Sequence, residues 1–283
     1  MKLLRFGERG AEKPGLLDDT GAIRDLSGVV DDINPASVSE AGLAKMAAVD
    51  PNSLPLVSGN PRLGPCVSGF QKFICIGLNY SDHAAETGAD APPEPIIFMK
   101  TLNALNGPND DVIIPRGAEK TDWEIELAMI IGKQAHHVDE AEALDYVAGY
   151  AIANDVSERA FQTERAGQWT KGKSCDTFGP LGPWLVTRDE IADPQNLDMT
   201  LDVNGKRFQD GNTKTMIFNC AHLVAYLSTF MTLFPGDVIS TGTPPGVGMG
   251  IKPAPVFLKA GDEMTLNIAG LGTQHSRCIA WSR

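Results

Sequence analysis

Two carboxylates two residues apart carry the first chemical signal in the chain. In "KTDWEIELAMIIG", Lys120 to Gly132, the residues Trp123, Ile125, Leu127 and Met129 alternate with Glu124, Glu126, Ala128 and Ile130. A strand has a side-chain period of two, so Glu124 and Glu126 stand side by side on one face. Adjacent carboxylates repel, and a strand that runs on as "LAMIIG" is expected to be buried, where paired charges need a counter-ion. A hard divalent cation such as Mg²⁺, which takes oxygen ligands, meets that need. The competing reading is a half-solvated strand face with no ion on it.

Three further stretches supply partners. In "YAIANDVSERAFQ" a strand delivers Asp155 to its end just before a helix. Asp155 is there either a third ligand or, with Glu158 three residues on, an N-terminal helix cap. In "GLNYSDHAAETG", His83 and Glu86 lie three apart, close together on a helical turn. A His oriented by a carboxylate makes a general base held in one tautomer, although a solvated His on a polar helix has the same spacing. Lys173 lies among Trp169, Cys175, Phe178 and several turn residues. It reads as a cation for an anionic substrate or as an ordinary surface lysine. His136 and His137 read as exposed loop residues, His222 as a packed helix residue and His275 as a late-strand residue; none is assigned chemistry.

The segment that holds Lys173, "GQWTKGKS", matches the letter pattern of a nucleotide-binding P-loop. A working P-loop follows a strand and opens a helix, because backbone N–H groups and the helix N-terminus bind the phosphates. Here a helical stretch precedes Gly167, and "CDTFGPLGP" after Ser174 cannot carry a helix onward. The nucleotide reading is therefore set aside. "TGTPPGVGMG", Thr241 to Gly250, lacks donors at its two prolines and suits a rigid loop lining a pocket.

The elements that must hold these residues are mostly strands. Short apolar runs recur between turn signals from Phe73 onward, among them "FICIGL", "PIIFMK", "DVIIP", "YAIAND", "DMTLDVNG", "DVISTG" and "EMTLNIAG". Helices are expected at "EAGLAKMAAV", "DEAEALDYV", "SERAFQTERAG" behind a Ser cap, and "NCAHLVAYLSTFM" behind Asn219. Strand and helix do not alternate regularly, which disfavours a doubly wound parallel sheet. Residues 1–68 read as a small N-terminal domain ending in a Pro/Gly-rich linker, and residues 69–283 as the catalytic domain.

Bulk properties narrow the partners. The chain has 283 residues, 36 acidic and 24 basic, for a formal charge of -12. It lacks the basic footprint of a nucleic-acid binder. Five scattered cysteines form no C-x-x-C pair, so neither a disulfide framework nor a zinc knuckle is indicated. No apolar run approaches the roughly 20 residues of a membrane span, and the N-terminus shows no export signal. A cytoplasmic location is expected.

Taken in order, "FICIGLNYSDHAAE", "PIIFMK", "DWEIELAMIIG", "AIANDVSERAFQ", "KGKSCDTFGPLGPW" and "PGDVISTGTPPGVG" resemble the fumarylacetoacetate hydrolase family over about residues 70–283. The resemblance implies an α+β, β-rich fold of mixed sheets rolled into a sandwich, usually as a homodimer. It implies Mg²⁺ or Mn²⁺ at the positions of Glu124, Glu126 and Asp155, with His83 and Glu86 on a lid over the substrate. Lys173 would lie in the pocket, lined also by Arg159, Gln162 and Thr243. The implied activity is hydrolysis of a 2,4-diketo acid at its C3–C4 bond, a small anionic keto acid being the partner. Within the family the chain looks most similar to bacterial proteins acting on 2,4-diketo-3-deoxy sugar acids derived from L-rhamnonate or L-fuconate. Oxaloacetate decarboxylation and hydration or isomerisation of an aromatic ring-cleavage product are the alternatives, and a metal-stabilised binding protein without turnover is a different class of answer. One departure stands out: many members continue Pro-Ser after "FMK", where this chain has Thr101-Leu102, which leaves Lys100 without an expected substrate role.

Overall fold

The computed structural model describes residues 1–82 and 91–283. His83 and Glu86 lie outside the described residues. Three short strands open the chain, β1 (Lys2–Phe6), β2 (Lys13–Leu17) and β3 (Ile23–Asp25), followed by helix α1 (Glu40–Ala47). The apolar runs that follow become β4 (Phe73–Gly77), β5 (Ile96–Lys100), β6 (Leu105–Asn106), β7 (Val112–Ile114), β8 (Thr121–Asp122), β9 (Ile125–Ile131) and β10 (Val147–Asn154). A two-residue strand β11 (Ser157–Glu158) leads into the short helices α2 (Arg159–Thr163) and α3 (Thr170–Lys173). The remainder forms β12 (Gly179–Thr187), β13 (Asp198–Val203), β14 (Lys206–Asn212), helix α4 (Cys220–Phe230), β15 (Val238–Ser240), β16 (Glu263–Ile268) and β17 (Gly272–Ala280).

Among the described residues the strands assemble into two main open sheets. The larger has the order β3-β2-β1-β12-β10-β9-β15-β4-β5, with β6 alongside β12; the smaller runs β14-β13-β16-β17-β7. Most pairings are antiparallel, as the irregular strand and helix order implied, and the parallel ones are β15 with β4, β12 with β6 and β17 with β7. The fold is the strand-rich mixed α/β type expected. β9 and β10 are buried along their whole lengths. Their two faces serve different cores. Ile125, Leu127 and Met129 pack with Met199, Leu201, Met264 and Leu266 of the second sheet. Ala128 and Ile130 face the opposite way, toward Leu3, Val38, Met46 and Phe70. Glu124 and Glu126 share that second parity, so a strand that is apolar on both sides carries two acids at its entrance.

The first 25 residues extend the large sheet, β1 pairing with β12 through Lys2 and Val186. The Pro/Gly-rich stretch read as a linker is packed instead, with Cys66 and Val67 fully buried in the second core. Two of the expected helices are shorter than their patterns. Residues Glu140–Tyr146 form a 3₁₀ segment, because Val147 is already committed to pairing with Ile131. Ser157 does not cap a helix: its hydroxyl donates to the Asp155 carbonyl, 2.9 Å away, and its backbone lies in β11 opposite Asp122. Helix α4 matches its pattern, with Asn219 accepting from the His222 N–H. His222 itself is not packed inside. It sits on the outer face of α4, stacked between Phe218 and Tyr226 and 3.0 Å from Glu140. No described helix is long and apolar enough to cross a membrane.

Candidate active site

The start of β9 and the end of β10 are antiparallel neighbours, and this register brings the three predicted ligands together. The Glu124 N–H donates to Asn154 Oδ1 at 3.1 Å, and the Glu124 carbonyl accepts from the Asp155 N–H at 2.9 Å. Glu124, Glu126 and Asp155 are all buried, each offering a carboxylate oxygen within 4.8 Å of the others. The choice left open for Asp155 is decided against a helix cap. Glu158 caps α2 by accepting from the Ala160 N–H, while Asp155 faces two lysines.

Lys173 is one of them. It is 2% exposed, and its Nζ lies 2.5 Å from Glu124 Oε2 and 2.7 Å from Asp155 Oδ2. The surface-lysine alternative is thereby removed, and so is any trace of a P-loop, since this ammonium is committed to carboxylates. Gly172 makes the placement possible. A Cβ there would sit 2.4 Å from the Glu158 carbonyl oxygen and 2.6 Å from the Gln162 nitrogen, so a larger residue would push α3 away from α2. The second lysine is Lys100, fully buried at the end of β5. Its Nζ is 2.5 Å from Asp155 Oδ1 and donates to the carbonyls of Val156 and Lys173.

Arg159 begins α2 and reaches over the same cluster, 2.7 Å from Glu124 Oε1 and 2.8 Å from Asp122 Oδ2. It also donates to Gln162 Oε1 at 3.1 Å. Thr243 lies across the site, its hydroxyl donating to the Ile125 carbonyl and accepting from Gln209. Glu126 accepts from Ser240 Oγ at 2.5 Å and from the Gly242 N–H at 2.9 Å. Gly242 has φ +95, and a Cβ would lie 2.8 Å from that of Asn79; only glycine lets the loop aim this N–H at Glu126. Glu124, Glu126, Arg159, Gln162, Lys173 and Thr243 all line one cavity of about 270 Å³.

Asp122 is the functional neighbour that the sequence reading passed over. It is fully buried, and its two oxygens accept from the N–H groups of Gly248 and Met249 as well as from Arg159. It thereby ties β8, α2 and the Val247–Gly250 turn together. The signal was present: 122, 124 and 126 share one strand parity, so "DWEIE" presents three acids to one side.

Among the described residues, four carboxylates, Asp122, Glu124, Glu126 and Asp155, face three cations, Arg159, Lys100 and Lys173. The electrostatics follow from that inequality. Burial alone would raise the Glu124 carboxyl, but Lys173 and Arg159 outweigh it and hold it down at about 2. Glu126, which has no cation in contact among the described residues, is pushed well above the usual carboxylate range by burial and then by the charges of Asp155 and Glu124. Burial opposes charge on Lys173 as well, yet Asp155 and Glu124 raise it above the ordinary lysine value. The residues fit a divalent cation: the donors are hard oxygens, and among the described residues the cluster holds one more carboxylate than cations.

Residues 72–279 match the family model described as fumarylacetoacetate (FAA) hydrolase C-terminal. A protein of Burkholderia orbicola (strain MC0-3), provisionally named a hydrolase, is 62% identical over 277 residues, covering 98% of each chain. Among solved structures, a fumarylacetoacetate hydrolase from the psychrophile Exiguobacterium antarcticum superposes with a TM-score of 0.89 at 35% identity over 99% of this chain and 100% of that one. A 5-carboxymethyl-2-hydroxymuconate delta-isomerase from Mycobacterium smegmatis gives 0.76 at 30% identity over the full length of both. With motifs, fold and matches in agreement, the chain belongs to the fumarylacetoacetate hydrolase family of hydrolases and isomerases.

Proposed function

We propose that the protein hydrolyses a 2,4-diketo acid, an acylpyruvate, at its C3–C4 bond. The observation that carries this reading is the buried Glu124, Glu126 and Asp155 cluster, whose two glutamates line one small cavity together with Lys173 and Arg159. In this reading Glu124, Glu126 and Asp155 hold Mg²⁺ or Mn²⁺. The ion would supply Lewis-acid polarisation of the keto acid's oxygens. His83, oriented by Glu86, takes a proton from water, and the water oxygen bonds to C4. The C3–C4 bond breaks with its electron pair left on the pyruvyl fragment as an enolate, which gains a proton at C3; the other product is the carboxylic acid of the acyl arm. Lys173 and Arg159 put fixed positive charge where negative charge grows, the kind of preorganised contact that lowers a barrier. Gln162 and Thr243 border the substrate.

The enzyme would be cytoplasmic and homodimeric, with residues 1–68 as a small domain ahead of the catalytic residues 69–283. The resemblance extends the substrate to a 2,4-diketo-3-deoxy sugar acid from L-rhamnose or L-fucose breakdown, which would release lactate with pyruvate. A second reading is isomerisation of a ring-cleavage dienedioate, favoured by the similarity to the Mycobacterium smegmatis isomerase. The deciding assay is pyruvate release from 2,4-diketo acids and from oxaloacetate, with Mg²⁺ and with chelator. Metal-dependent pyruvate from the diketo acids supports the hydrolase. Turnover of a hydroxymuconate without pyruvate would replace it by the isomerase, pyruvate from oxaloacetate alone by a decarboxylase, and full activity in chelator would remove the metal from the reaction.

A further inference from the structure

Among the described residues, the charged side chains of the cavity and Thr243 are already held by other groups of the protein. Lys173 is bound to Glu124 and Asp155, Arg159 to Asp122, Glu124 and Gln162, Glu126 to Ser240 and Gly242, and Thr243 to Gln209 and a carbonyl. Among the described residues, the lining beyond these is Ile76, Leu78, Phe98, Trp169, Val247 and Met249, with Thr163 at the edge, its hydroxyl donating to the Arg159 carbonyl.

These residues come from two parts of the fold. Trp169 immediately precedes α3, one turn before Lys173, so the same four-residue helix carries the ammonium and adjoins the indole. The indole lies against Gly77, where a Cβ would come within 2.5 Å of its Cζ3, and meets Phe98 edge-on with ring centroids 5.4 Å apart. Lys173 Nζ in turn sits 5.0 Å from the Phe98 centroid, so the apolar wall begins directly beside the charged end. The same cavity is lined by Val247 and Met249, whose turn is pinned by the Gly248 and Met249 N–H groups to Asp122. Met249 is 42% exposed at the rim, and its unbranched thioether can follow chains of different shape.

From this we infer that the site takes a 2-oxo acid whose arm is apolar, alkyl or aryl, in place of the hydroxylated arm of a deoxy sugar acid. The inference rests on the acylpyruvate reading for the reaction but not for the binding, because the walls act on any 2-oxo acid held at the charged end. A buried methylene is worth about fourfold in affinity. A hydroxyl stripped of water with no partner costs roughly five- to a hundredfold.

The experiment has two arms. Calorimetry with Mg²⁺ follows the Kd of pyruvate, 2-oxobutanoate, 2-oxopentanoate and 2-oxohexanoate, which lack the C4 ketone and are not cleaved. Affinity should rise roughly fourfold per methylene, with Trp169→Ala flattening the series. Met249→Ala, at the exposed rim where folding is not at stake, should flatten only its far end. In parallel, kcat/KM for 2,4-dioxohexanoate should exceed that for 5-hydroxy-2,4-dioxohexanoate by at least about fivefold. A flat Kd series, absence of measurable binding included, or a hydroxylated acid cleaved as well as its deoxy counterpart, overturns the inference. If neither diketo acid is cleaved while the Kd series still climbs, the hydrolase reading fails and the apolar arm stands.

Discussion

Two networks of charged side chains among the described residues differ in arithmetic. Near the N-terminus, Arg5, Arg9 and Arg62 meet Glu12, Asp32 and Asp110, three cations for three anions. Arg62 binds Asp110 at 2.6 Å and Glu12 at 2.9 Å, and Arg5 binds Asp32 at 2.7 Å. Although burial pushes the other way, hydrogen bonding from Arg62 and the nearby charges hold Glu12 below its usual value. The network is closed, lies partly in solvent, and fastens residues 5–62 to the turn at Asp110. In the candidate active site four carboxylates of the described residues meet three cations, all buried, so the acids outnumber the bases. A balanced network holds a fold together; an unbalanced one, in a cavity, is a site waiting for a ligand.

The hardest test of that contrast removes an acid from the unbalanced cluster. Glu124→Gln, which leaves three acids for three cations, should lower Mg²⁺ affinity by calorimetry and pyruvate release by on the order of a hundredfold or more. Retention of both would show that the missing charge has no function. Removing a cation separates the two networks next. Lys100→Met leaves Asp155 with Lys173 as its one remaining cation among the described residues and should cost about 3 kcal/mol in urea unfolding, part of it regained with Mg²⁺. Arg62→Met, with its partners partly in water, should cost about 1 kcal/mol with no help from the ion. Equal losses in the two variants would erase the distinction.

Asp122→Asn is expected to raise KM roughly tenfold with a smaller change in kcat, because Arg159 and the Met249 turn lose a shared anchor. An unaltered KM would separate Asp122 from the site. The smallest effect concerns pH. A carboxyl raised on folding keeps its proton above about pH 4.5 while the unfolded chain releases it, so the unfolded state binds fewer protons and stability falls as pH rises. In chelator, wild-type stability should therefore decline from about pH 4.5 upward through the raised range of Glu126, and Glu126→Gln should lack that slope. Parallel profiles for the two proteins would locate the extra proton elsewhere.

How far the site could be read in advance depended on the range of the interaction. Glu124 and Glu126 were legible because strand parity is local, and Asp122 was equally legible by the same parity but was overlooked. Asp155 was found but not its role, because a cap and a ligand are alike until the partner strand is in place. Lys100 offered no signal at all: its contacts are the carbonyls of Val156 and Lys173 and the carboxylate of Asp155, all brought in by folding. The N-terminal network was invisible for the same reason, since Arg62 and Asp110 are 48 residues apart. The expected helices at residues 139–147 and 157–167 failed where strand pairing at Val147 and at Ser157 claimed the same backbone.

By itself the sequence determined which residue types were on offer: a strand with acids on one parity, glycines where backbones touch, apolar runs enough for two cores, and motifs held in family order. These are properties of neighbours along the chain, and short-range geometry suffices to read them. Only the tertiary structure decided that Lys173 is buried, that Asp155 is no cap, that the charges fall one cation short, and that the wall beside them is apolar. Those outcomes depend on which distant segments are excluded from water together, and desolvation is a property of the folded whole.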